Sequence, residues 1–186
     1  RTILQETKRG VVFMGQSGVV THDFDTSLAY SEVSSDEYFW DAVYRKAFPN
    51  MVNHMLASGD TQSQRMGIDR VIILSNGQVI KIDEKKRKEL YKDILLEYIS
   101  VDTTCAPGWI EKDLAIDYLA YAFMPTKTVY LFSWSLLRRA WENYKKQWIE
   151  TYPRITAQNN GYKTISVAVP IDVVTKAVNV ASVIQL

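Results

Sequence analysis

Apolar positions along the chain follow two rhythms, and the switches between them mark the elements. Ser34-Ser35-Asp36-Glu37 has the hydroxyl caps and early acids of a helix start. Trp40, Val43, Tyr44 and Ala47 then recur at helical spacing until Pro49 ends the run. Met51 to Leu56 is expected to add a second short helix or a turn. The rhythm then changes. Ile68 to Leu74 is rich in β-branched residues, Ser75-Asn76-Gly77 signals a turn, and Gln78 to Lys85 alternates apolar with polar side chains. Ile94 to Ile99 predicts a third strand, and Asp117 to Met124 with Thr128 to Phe132 predicts a strand pair around Pro125. A helix follows from about Ser133 to Ile149, with Leu137, Ala140, Trp141, Tyr144 and Trp148 as its apolar stripe. Thr164 to Val169 predicts a late strand, and Pro170 opens a last short helix through Val178.

This order predicts the α+β class, an α/β sandwich around a mixed central sheet. Residues 1–30, with apolar runs near Gly10 and Gly18, read as a separate N-terminal arm or hairpin to which no chemistry attaches. Residues 31–186 read as the main domain.

Composition changes this picture little. A chain of 186 residues that is 47% hydrophobic and 23% charged is long enough to bury a core. It has no run of ~18 to 20 uncharged apolar residues, so no membrane partner is expected. The chain opens on Arg1, which leaves a preceding targeting segment open. One cysteine, Cys105, excludes a disulfide framework and fits a reducing, cytoplasmic setting. With two histidines and that one cysteine, a structural zinc site from Cys and His alone is not available, so any metal needs oxygen ligands. The net charge of +1 advertises no global field for nucleic acid, although basic residues crowd Lys81 to Lys92. Most of the five Trp and eleven Tyr sit at core spacing and read as core.

The acidic hairpin carries the candidate chemistry, and its register decides whether a site exists. A two-residue Asn76-Gly77 loop places Asp69 opposite Glu84 and turns Asp83 to the other face. A three-residue Ser75-Asn76-Gly77 loop, with Gly77 left-handed, places Leu74 opposite Gln78 and Asp69 opposite Asp83, with Lys85 on the same face. The alternation favours the second register, because Ile80 and Ile82 share the side away from Lys81, Asp83 and Lys85. Two carboxylates ~5 Å apart repel unless one is protonated or a cation bridges them. The competing interpretation is a solvated edge strand whose charges discourage aggregation.

Gly67-Ile68-Asp69 followed by Ile82-Asp83-Glu84-Lys85 resembles the PD-(D/E)XK nuclease superfamily, with Ile68 where the usual Pro would stand. Asp60, Gln64 and the runs Leu95-Leu96-Glu97, Pro107-Gly108-Trp109-Ile110 and Asp117-Tyr118-Leu119-Ala120-Tyr121 resemble poorly characterised phage and bacterial members of that superfamily. The resemblance spans about residues 36 to 170 and implies a restriction-endonuclease-like αβββαβ core. It implies that Asp69 and Asp83 are metal ligands and catalytic, that the Glu84 backbone carbonyl is a third ligand, and that Lys85 is the catalytic lysine. It also implies an acid on the first helix, for which Asp36, Glu37 and Asp41 compete and Asp36 points nearest the core. Gln64 is a further accessory candidate, and Glu97 joins if its strand neighbours the hairpin.

The implied activity is hydrolysis of DNA phosphodiester bonds by a water activated at Mg²⁺, with Mn²⁺ able to substitute. Lys86, Arg87, Arg138 and Arg139 are candidates for contact with DNA phosphates, against the more ordinary role of solvated basic faces. Many relatives work as dimers, so a homodimer is a candidate assembly, in the cytoplasm of a bacterium or phage-infected host. The rival expectations are a non-catalytic nucleic-acid-binding or assembly protein that keeps the fold, and a phage structural or interaction protein with a merely solvated hairpin.

Overall fold

A computed structural model describes residues 36–57 and 66–186. The expected N-terminal arm, Asp60 and Gln64 lie outside the described residues. The chain divides into two compact units, Arg1–Tyr38 and Phe39–Leu186. Of the first, residues 36–38 are described, and they are helical.

Helix α1 runs over residues 36–47 and stops before Pro49, as the apolar spacing requires. Among the described residues ten strands follow: β1 (Met51–Leu56), β2 (Arg70–Leu74), β3 (Val79–Arg87), β4 (Asp93–Val101), β5 (Ala106–Pro107), β6 (Tyr118–Phe123), β7 (Thr128–Ser133), β8 (Arg154–Gln158), β9 (Lys163–Pro170) and β10 (Ala181–Gln185). A 3₁₀ turn, Met124–Thr126, carries Pro125 between β6 and β7, and helices α2 (Trp134–Thr151) and α3 (Ile171–Val178) flank β8 and β9. The class is α+β, with antiparallel and parallel pairs in one sheet. No helix among the described residues is long and apolar enough to cross a membrane.

Two sheets form. The larger has the order β1-β2-β3-β6-β7-β10 and the smaller β5-β4-β9-β8. One face of the larger sheet buries Ile72, Leu74, Ile80, Ile82, Ala120 and Leu131 against Trp40, Val43 and Tyr44 of α1. A second core joins Leu119, Tyr121, Phe123 and Phe132 of the larger sheet to Ile94, Leu96, Val167 and Val169 of the smaller one. It continues to Leu137, Trp141 and Trp148 of α2 and Val174 of α3.

Three expectations are corrected. Met51–Leu56 is an edge strand, not a helix, because its backbone pairs antiparallel with β2 and so satisfies the polar groups that the two strands turn toward each other. The neighbour of the hairpin is β6, parallel to β3, while β4 lies in the other sheet between β5 and β9. Burial explains the choice: β6 is buried at five consecutive positions and suits a strand covered on both faces, whereas β4 alternates at its start. Tyr144 is 42% exposed and lies at the rim of the α2 stripe, stacked on Trp148 at 5.7 Å.

Candidate active site

The site is built by the β2–β3 hairpin. Gly67 enters it with φ +72°, and a side chain there would meet Leu114 at 2.9 Å, so glycine alone fits the turn that brings Ile68 into the core. At the other end Leu74 and Gln78 form the last backbone pair (N···O 2.9 Å). Gly77, with φ +81°, closes the three-residue loop by donating its N–H to the Leu74 carbonyl at 2.9 Å. The ladder pairs Ile73 with Val79, Ile72 with Ile80, Val71 with Lys81 and Arg70 with Ile82. Continued by one residue, it sets Asp69 against Asp83. This is the register that the alternation of β3 favours.

The ladder is irregular where it matters. The N–H of Asp69 donates to the Ile82 carbonyl at 2.9 Å, although Arg70 is already the partner of Ile82. Two residues of one strand therefore share one partner, as in a bulge. The Asp69 carbonyl accepts from the Ala57 N–H of the β1 side (2.9 Å), and its carboxylate Oδ2 accepts the Glu84 N–H at 2.8 Å. A side-chain oxygen thus replaces a backbone carbonyl in the ladder. An extended residue projects its N–H and C=O to the same edge, so the Glu84 carbonyl is also turned toward Asp69.

Asp83 is 2% exposed, and Lys85 Nζ donates to its Oδ1. Burial raises the Asp83 carboxyl to about 7; Lys85 opposes this, while Asp69 adds to it by hydrogen bond and by charge. The two carboxyls therefore meet, and one lysine stands against two acids. Lys85 keeps about a third of its side chain exposed (34%), which leaves it open to solvent beside a buried acid.

Alternate residues of the same strands build a second polar cluster on the α1 face. Arg70, 1% exposed, donates from Nε to Glu84 Oε1 at 2.5 Å, and Tyr44 Oη donates to the same oxygen at 2.9 Å. Arg70 Nη1 lies 2.9 Å from His54 Nδ1, and His54 Nε2 lies 2.9 Å from Asp41 Oδ1. Arginine can only donate, so His54 accepts at Nδ1 and donates to Asp41 from Nε2. Burial pushes the Glu84 carboxyl up, and Arg70 and Tyr44 pull it back. Asp41 is held low, first by its hydrogen bond from Arg45 (2.8 Å).

The remaining candidates scatter. The Glu84 side chain belongs to the far face, so only its carbonyl is turned to the carboxylates. Asp41 is spent on His54 and Arg45, and Asp36 and Glu37 fall in the first compact unit. Glu97 is not beside the hairpin: β4 pairs with β9, where Glu97 faces Ser166. Lys86 is exposed on the α1 face of β3. Arg87 donates to Tyr121 Oη at 3.2 Å and lies over the Tyr91 ring at 3.8 Å. Arg138 donates to the Ile110 carbonyl and reaches Glu142 at 3.5 Å, while Arg139 is exposed on α2. No group of three or more His, Cys, Asp and Glu gathers into a cation cage among the described residues.

Arg70, Tyr44 and His54 do not stand out in the sequence. The signal is present in part: Arg70 and Glu84 occupy the inward positions of strands whose other inward residues are Ile72, Leu74, Ile80 and Ile82. Opposite charges at apolar register positions imply a buried pair. No protein-family model, curated protein or solved structure matches the chain.

Proposed function

We propose that the chain is a metal-dependent nuclease of the PD-(D/E)XK type that hydrolyses DNA phosphodiester bonds. One observation carries the reading: Asp69 and Asp83 meet across the hairpin, with Lys85 on Asp83. The residues fit a divalent cation, because two carboxyls meet there and the buried Asp83, raised to about 7 first by burial and then by Asp69, would be relieved by a cation that bridges them. Asp69, Asp83 and the Glu84 carbonyl would hold Mg²⁺ or Mn²⁺, which needs only one or two carboxylates when water and phosphate complete the shell. When bound, such an ion lowers the pKa of water and polarises a phosphoryl oxygen.

The chain's own groups supply the rest. Asp83, packed at the sheet and fixed by Lys85, orients. Asp69 is exposed and faces incoming phosphate. The Lys85 ammonium places a proton and a positive charge next to that position, where it stabilises charge developing on the phosphate or moves a proton at the attacking water. A homodimer and contacts from Lys86, Arg87 and Arg139 to DNA belong to the same proposal.

The test is Mg²⁺- or Mn²⁺-dependent degradation of DNA by the purified chain, lost by about 10²- to 10⁴-fold in Asp83→Ala and Lys85→Ala proteins that keep their fold. Degradation that survives both substitutions, or no degradation under any divalent cation, sinks the enzyme reading. One observation favours the rival, a nucleic-acid-binding protein that keeps the fold without catalysis: the Lys85–Asp83 pair already gives the buried acid a cationic partner. Metal-independent DNA binding unchanged by Asp83→Ala would point there.

A further inference from the structure

The polar cluster on the α1 face is joined to the carboxylate face by the chain itself. Arg70 follows Asp69 directly, and Glu84 sits between Asp83 and Lys85. Successive side chains of a strand point to opposite faces. Fixing Arg70 and Glu84 on one face therefore fixes the directions of Asp69, Asp83 and Lys85 on the other.

The site needs such a constraint. Asp69 lies one residue before β2 begins, where the ladder is irregular and its carboxylate substitutes for a carbonyl. A slip of one residue would exchange the two faces completely. The regular pairs from Arg70 to Ile73 set the register but stop short of Asp69. The Arg70–Glu84 contact crosses from one strand to the other at that boundary, and three residues of two elements brace it: Tyr44 from α1, His54 from β1, and Asp41 of α1 behind His54.

We infer that Arg70 and Glu84, braced by Tyr44, His54 and Asp41, are positioning residues that hold the Asp69–Asp83–Lys85 face in its cation-binding register. This inference rests on the proposed metal site for its function, but the positioning itself is a statement about the hairpin and can be read without metal. It also accounts for chemistry that stability alone does not favour. A guanidinium 1% exposed and a carboxylate beneath a sheet are costly to desolvate, and an apolar pair of similar size is often as stable or more so. A pair kept for geometry differs from one kept for stability in what its replacement restores.

The experiment uses the full chain and two variants, Arg70→Leu/Glu84→Leu together and Tyr44→Phe, with Mn²⁺ as probe. Titration calorimetry reads Mn²⁺ affinity, urea denaturation reads stability, and amide exchange reads the Glu84 N–H that Asp69 Oδ2 holds. The double variant is expected to keep wild-type stability or exceed it. It should lose roughly 10- to 100-fold in Mn²⁺ affinity, the usual range for supporting residues around a metal, and lose protection at the backbone amide of position 84 while the Ile72–Ile80 amides stay protected. Tyr44→Phe is expected to show a smaller loss of the same kind. A double variant that retains both affinity and protection at position 84 overturns the inference, and so does loss of protection spread evenly over the hairpin. If the wild-type chain binds no Mn²⁺, the metal reading fails by itself, and the positioning role is decided by the amide exchange alone.

Discussion

The two faces of one hairpin solve the problem of buried charge in opposite ways. On the α1 face, Arg70, Glu84, Tyr44, His54 and Asp41 form a closed chain in which each charge has a partner at hydrogen-bond distance. On the other face, Lys85 pairs with Asp83 while Asp69 stands exposed beside them, and burial raises Asp83 to about 7 in spite of the lysine. The strands and the register are the same. What differs is the count of charges, two acids to one lysine on this face, and perturbed acids gathered at one place are a common mark of a functional site. On the proposed function, the balanced face is the support and the unbalanced one the working surface.

The contrast breaks most sharply at Arg70. Arg70→Leu alone leaves Glu84 buried without its cation and is expected to cost roughly 3–5 kcal/mol, read by urea denaturation. A cost below about 1 kcal/mol would show that the α1 face is not a balanced pair. Asp83 gives the next effect, in the opposite sense. Its folded pKa of about 7 lies above the ordinary unfolded value, so the folded state holds a proton that the unfolded state releases. Stability without metal therefore falls as pH rises from about 4 to 7 and levels off above. Asp83→Asn should remove most of that fall, and Mg²⁺ should flatten it by replacing the proton. A fall unaltered by Asp83→Asn would assign the pH dependence elsewhere. The smallest effect is Tyr44→Phe, which removes one hydrogen bond to Glu84 and should cost about 1 kcal/mol in the same urea assay.

Much of this contrast is legible in the sequence. Gly77 and the alternation of Ile80 and Ile82 with Lys81, Asp83 and Lys85 determine the register locally, and local signals are what a sequence states most directly. Sheet partnership is not local. Ile94 to Ile99 reads correctly as a strand, yet nothing within it says that β9 rather than the hairpin will be its neighbour. Edge strands are harder still. β8 is exposed at all five positions, so burial leaves no rhythm in Arg154–Gln158, and the segment is a strand because β9 offers it a free edge. Met51–Leu56 misleads for the same reason. The family resemblance singles out Glu84 for its backbone carbonyl, and its side chain goes unnoticed because its partners Tyr44 and Arg70 come from distant points of the chain.

If the unbalanced face is a cation site, anomalous diffraction from crystals of the full chain soaked in Mn²⁺ will show it most directly. The expected result is a peak between the Asp69 and Asp83 carboxylates, about 2.0–2.6 Å from an oxygen of each, with the Glu84 carbonyl turned toward it. No peak at that position under saturating Mn²⁺, with Lys85 still seated on Asp83, would contradict it.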